Sequence, residues 1–450
     1  MEKQDFDVRC GTGSSGHHLF GFHDLIAFNK NGDKLLSLEL DVINRPPLPG
    51  EKAGVGYSIW EEGRFVKLGE TNAYNFPQGA RQQWLSNNTF IVNNQIGNNW
   101  GSEVYDVDSG LKIEEYESTT HCVMKNSQIA FGLDYSRLHR LGGYGYIGLE
   151  DIGKNDAAPK NQGIWKLDLN SKKKSLLLSI SEIAECDKQT SASNGYHHYV
   201  THLVINPSET RIAFLHRFFL SDGGIRTRLM TVGTDGSNLR CIAVGFLSHF
   251  DWQDDSTIFI WGRAGGGLDA LRSNAILSSP LILPFLKLAK GMVRKIISKT
   301  SNQLSMSFLL VKDSDEAEII PVAEGVIVED GHPMFNPVNR NIIVNDTYPN
   351  DQKLRTLMLY FFKENKRFDL TECRMIDEQP DSTLFKEYTL GCDSNVLELM
   401  SPELFSFTRS GLHCDFHPRW NADGTMVAFD SIHEGTRQIY VVDVSSLVNL

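Results

Sequence analysis

Four histidines recur at one place in four copies of a short pattern: His202 in HLVINPSETRIAF, His249 in HFDWQDDSTIFIW, His332 in HPMFNPVNRNIIV and His417 in HPRWNADGTMVAF. Each stands three residues before the residue that opens a turn (Ile205, Trp252, Phe335 and Trp420), and a β-rich run follows. Imidazole titrates near neutral pH and ligates metals. If the copies are arranged about an axis, their equivalent residues fall on one ring, a candidate metal or catalytic centre. Cys414 lies three residues before His417. His249, His332, His417 and Cys414 would together fill a tetrahedral shell. Thiolate with imidazole favours zinc over magnesium or calcium as the expected divalent metal, with manganese as the alternative. A shell using all four donors would be structural. With Cys414 turned away, His202 or water would take the fourth place and the site would be catalytic. Asp330 and Asp415 are the expected partners that fix imidazole tautomers. The competing expectation is that these histidines bond to neighbouring backbone and stitch the copies together.

The elements that must position these residues are hairpins. Weaker copies without the histidine occur at FNKNGDKLLS (28–37), WLSNNTFIVN (84–93) and VMKNSQIAFG (123–132), which makes seven hairpins in all. Each alternates with period two around Asn, Asp, Gly or Pro. Spacings of roughly 40 to 85 residues leave room for blades of about 40–50 residues plus insertions. The expected fold is all-β, a seven-bladed β-propeller forming one domain over 1–450. It would have a short N-terminal arm (1–18) and a helical insertion at about 270–302. A β-sandwich or a pair of β domains is the alternative. The chain is 41% hydrophobic and 10% aromatic, enough for a large core.

The N-terminal MEKQDFDVRCGTG lacks an apolar signal region, and no apolar run reaches the ~18 residues that would span a bilayer. Seven scattered cysteines make no disulfide framework. A cytoplasmic location is expected. The net charge of −12 argues against a nucleic-acid partner. One segment runs against that charge. LILPFLKLAKGMVRKIISK (281–299) has Lys287, Lys290, Arg294, Lys295 and Lys299, with Phe285, Ala289, Met292, Val293 and Ile296 on one helical face. Such a helix either lies on an anionic membrane surface, peripherally at the inner membrane, or packs on the rim with its lysines solvated.

The motifs LHCDFHPRWNADGTMVAFDSIHEGTRQIYVVDV, DGHPMFNPVNRNIIVNDTYPN and THLVINPSETRIAFLHRF resemble the propeller-fold polysaccharide lyases. The likeness is to the ulvan lyases and, more distantly, the oligogalacturonate lyases. Looser matches at FGFHDLIAFNKNGD, NFPQGARQQWL and DYSRLHRLGGYGY extend it over about residues 19 to 445. The resemblance implies a central sugar cleft, a metal held by blade histidines, and β-elimination of uronate-containing glycans. That reaction needs a base for the proton α to the carboxylate, a cation to neutralise the carboxylate, and an acid for the leaving oxygen. His202, His198, Tyr144 and His216 are the expected proton-transfer groups, and Arg217 the carboxylate anchor. Arg263, Arg419, Gln78 and His23 are expected to bind substrate. The chain departs from the lyases at NFPQGARQQWLSNNTFIVNNQ, which has Gln78, Asn93 and Asn94 but no histidine, and at FGFHD, where His23 replaces a more usual tyrosine. These changes imply another substrate or lost catalysis. An acidic oligosaccharide or polysaccharide is the expected partner. The alternatives are a non-lyase or purely glycan-binding role in surface polysaccharide biosynthesis, and a protein-interaction propeller, against which the clustered histidines count.

Overall fold

The computed structural model describes residues 6–13, 15–186, 196–220, 224–264 and 306–448. The expected helical insertion and its basic segment 281–299 lie outside the described residues. The chain forms two compact units. The first comprises Met1–Lys154, Gln162–Leu177 and Gly331–Leu450, and the second Asn155–Asn161 and Leu178–Asp330. Among the described residues, no helix is long and apolar enough to cross a membrane.

The fold is mostly β, as the alternating hairpins predict. The first unit is built on open four-stranded antiparallel meanders. One runs through Met334–Phe335, Ile342–Asp346, Leu354–Phe361 and Lys366–Arg374. Another runs through Arg419–Trp420, Met426–Ser431 and Gln438–Asp443, and is completed from the other end of the chain by Val8–Cys10, with Val8 opposite Val442. The segment expected as an N-terminal arm is therefore partly strand. The second unit carries one seven-stranded sheet from His198–Ile205 to Ile319–Val322. It contains the hairpins of both His202 and His249, joined through the long strand Arg240–Trp252.

The turns explain why the pattern repeats. The first turn residue is Asn in Asn29, Asn206, Asn336 and Asn421, and its Oδ1 accepts backbone N–H groups of its own turn at 2.8–3.1 Å. Asn suits this because its short amide closes a turn on its own backbone. Its Nδ2 then reaches the next hairpin: Asn206 donates to Asp255 O (3.1 Å) and Asn336 to Gly424 O (2.7 Å). The turn-opening tryptophans add a second stitch. Trp84 Nε1 donates to Ala27 O, Trp252 to Val204 O and Trp420 to Met334 O, at 2.8–3.0 Å. In each case the acceptor directly precedes the turn-opening residue of an earlier hairpin. Asn and Trp thus stitch neighbouring copies together. The indole rings are sunk in apolar layers such as Ile342, Val344, Phe416, Trp420, Val427 and Phe429.

Candidate metal centre

His332, Asp415 and His417, in the first unit, offer ligand atoms that all lie within 4.8 Å of one another. Each is placed by a local feature of the sequence. A Cβ on Gly331 would stand 2.0 Å from Asp346 O, so only glycine lets the loop press against the strand Ile342–Asp346. That approach puts the His332 backbone N–H on Asp346 Oδ1 at 2.7 Å. His417 has φ 43°, a left-handed conformation that costs a non-glycine residue about 1 kcal/mol or more. The wholly buried Arg419 braces it by donating from Nε to His417 O at 2.8 Å, while its guanidinium pairs with Asp430.

The alternation of HCDFH sorts its side chains. His413, Asp415 and His417 approach one another, with His413 Nδ1 3.4 Å from Asp415 Oδ2. Cys414 and Phe416 turn the other way into apolar clusters. Asp346 accepts from His332 Nδ1 at 2.8 and 3.0 Å and from Phe416 N at 3.1 Å. A carboxylate at Nδ1 fixes the proton there and leaves Nε2 with a lone pair. Nε2 of His332 is 3.9 Å from Asp415 Oδ2, and Nε2 of His417 is 4.0 Å from it. Both separations are too long for hydrogen bonds. They suit an ion about 2.0–2.2 Å from each donor. Arg355 pairs with Asp415 through Nη2 and Oδ1 at 2.7 Å, on the oxygen opposite the imidazoles. Burial pushes His413 down to about 4, so it stands neutral beside the cluster. The Phe22 ring lies 5.0 Å from His417, and the His23 ring lies 5.6 and 6.2 Å from His332 and His417. The donor set fits a divalent cation: two imidazole nitrogens and a carboxylate oxygen, with a second carboxylate behind one imidazole.

Two sequence expectations for this shell are corrected. Cys414 packs among Phe76, Leu412 and Ile439, and burial pushes its thiol up to about 12, so it is a protonated core side chain. Asp415, expected behind the ligands, takes its place. The thiolate was the ground for preferring zinc, and that ground is gone. His249 belongs to the second unit, where its Nδ1 faces Asp330 Oδ1 at 3.1 Å, the pairing expected of Asp330. Arg419, expected to bind substrate, is 0% exposed and serves as the brace just described. His23 does line the cluster. Gln78 is buried, its backbone N–H bonded to Asn75 Oδ1. Tyr144 lies under the guanidinium of Arg409, 5.3 Å from it.

In the second unit, His202 and His249 each sit in a β-bulge, between Thr201 and Val204 and between Leu247 and Phe250. A bulge re-aims a side chain out of strand alternation. The two rings stand 6.4 Å apart, and His202 has φ 59°. His198 and His216 are hydrogen-bonded to each other at 2.9 Å inside the sheet. Arg217 donates to Leu247 O at 3.4 Å, and Arg263 lies opposite Phe246. Sequence reasoning missed Asp346, Arg355 and His413. The period of two in HCDFH could have found His413 and favoured Asp415 over Cys414. It also missed Arg81, which stands three residues before Trp84, the histidine position of the repeat, and holds Asp24 bidentately at 2.8 and 2.7 Å.

No protein-family model matches the chain, and no curated protein is similar to it in sequence. Solved structures are similar in fold. Oligogalacturonate lyase from Vibrio parahaemolyticus aligns with 98% of this chain and 97% of its own, at a TM-score of 0.53 and 14% identity. An oligogalacturonate lyase in complex with manganese aligns with 99% of this chain and 98% of its own, at 0.53 and 12%. At these identities the likeness is one of fold.

Proposed function

We propose that this protein is a metal-dependent lyase of uronate-containing oligosaccharides, built as a seven-bladed propeller in which the seven-stranded sheet supplies two blades. The observation that carries the reading is the His332–Asp415–His417 cluster with Asp346 behind it. His332 Nε2, His417 Nε2 and Asp415 Oδ2 would hold a divalent cation, and manganese is the first to test, since imidazole with carboxylate suits it and a fold relative is a manganese complex. When bound, the cation neutralises the substrate carboxylate and acidifies the proton α to it. Asp346 keeps His332 in the ligating tautomer. Arg355 draws Asp415 Oδ1 away, leaving Oδ2 to the cation. Phe22 and His23 wall the cluster on one side. His202 is the proposed proton-transfer group, its bulged, left-handed backbone aiming the imidazole out of strand alternation. Tyr144 is a second proposed proton-transfer group, Arg217 the proposed carboxylate anchor, and Arg263 and Gln78 proposed substrate-binding residues.

Elemental analysis of wild type and His332→Ala, followed by an ultraviolet assay for the unsaturated uronate product on oligogalacturonate, tests the reading. About one divalent ion per chain, absent in the variant, with product formed by wild type only, is expected. Absence of the ion from wild type refilled with manganese would overturn it.

A further inference from the structure

The second unit holds a buried relay of three side chains that are not all of one kind. His216 and Arg228 are directly opposite each other on neighbouring strands, and His198 lies diagonally across the next strand, two residues from Val200, which faces His216. Strand alternation therefore puts all three on one face. Arg228 Nε donates to His216 Nδ1 at 2.9 Å, and His216 Nε2 meets His198 Nδ1 at 2.9 Å. The side chains are 1%, 0% and 2% exposed. The guanidinium cannot slide away, because Nη2 also donates to Ile183 O at 2.9 Å, near the end of the short helix Ile180–Glu185.

We infer that Arg228 sets the protons of both histidines, so that His198 is a neutral imidazole carrying its hydrogen on Nε2. Only one arrangement of hydrogens satisfies these contacts. Guanidinium N–H only donates, so His216 Nδ1 must be the bare, accepting nitrogen. The hydrogen of His216 is then on Nε2, and it is donated to His198 Nδ1. With Nδ1 accepting, the hydrogen of His198 is on Nε2. A proton added to either ring would set two donors face to face. Burial and the nearby Arg228 charge hold His216 well below the usual imidazole range, in the same direction. Nε2 of His198 thus carries a hydrogen and cannot take a proton. Given the lyase reading, the base is then another residue.

Long-range proton–nitrogen correlation spectra of histidine-labelled protein near neutral pH read the tautomers directly. Wild type is expected to show His198 and His216 neutral with hydrogen on Nε2, and a hydrogen on Nδ1 of either overturns the inference. Arg228→Lys, which keeps a donor, is expected to preserve the pattern, whereas folded Arg228→Met should lose it. An unchanged pattern in folded Arg228→Met removes Arg228 as the cause. If that variant does not fold, the wild-type spectra still decide. These spectra need no turnover, so they fail separately from the lyase reading.

Discussion

The two units use histidine in opposite ways, and the sign of one neighbour makes the difference. In the first unit, Nδ1 of His332 faces the carboxylate of Asp346, so the ring keeps its hydrogen there and Nε2 is a lone-pair donor. In the second, Nδ1 of His216 faces the guanidinium of Arg228, so Nδ1 is bare and Nε2 carries the hydrogen. One arrangement makes ligands, the other makes hydrogen-bond donors. One residue type in a mostly β fold therefore serves two chemistries. The bulges at His202 and His249 and the left-handed backbone at His202 and His417 show that the scaffold itself also varies from copy to copy.

The largest effect is expected at a carboxylate whose work is structural. Asp430 is wholly buried between Arg419 and Arg437. Asp430→Asn leaves two guanidinium groups without their counter-charge, and a loss of about 3–5 kcal/mol in urea unfolding is expected. A loss within about 1 kcal/mol would show that the brace behind His417 is dispensable. The next effect is acid sensitivity. His18, bonded to Gln438, is pushed down by burial to about 4. The unfolded chain binds this proton first, near the ordinary 6.5. Stability should therefore be complete above that pH and fall as the pH drops towards 4, by about 3 kcal/mol at most. In His18→Gln that stretch should flatten; an unchanged slope in stepped-pH urea curves would place the acid sensitivity elsewhere.

At the metal cluster, Asp346→Asn should lower manganese affinity, read by titration calorimetry, about 10–100-fold. Unaltered affinity would mean that Asp346 does not set the His332 tautomer. Cys414→Ala is the matched control. It should keep the metal while losing about 1–2 kcal/mol of core packing, and loss of metal with the fold intact would restore the thiol to the shell. The smallest effect belongs to the backbone. His202→Gly should be more stable than His202→Ala by about 1 kcal/mol, because φ 59° suits glycine. Equal stabilities would show that the bulge relaxes.

Much of this was legible in the residue order because it is local. Turn-opening aromatics, Asn-led turns and period-two runs specify hairpins within a few residues of themselves, and the mostly β fold and the register of the four histidines follow from them. The spacing of Cys414 and His417 was legible too, yet it pointed to the wrong side chain, since a separation of three residues puts the two on opposite faces of an extended segment. The apolar layer that includes Phe76 and Leu412 takes up Cys414 and leaves Asp415 beside His417. Asp346 comes from a neighbouring strand, and Arg228 from the strand opposite His216, so no local pattern announces either. Residue order alone set the hairpin repeat, the mostly β class and the presence of His332 and His417 in one register. The tertiary structure alone decided which groups stand at each Nδ1. A tautomer is set by the charge of a neighbour about 3 Å away in space, and that neighbour's place in the chain carries no trace of the distance.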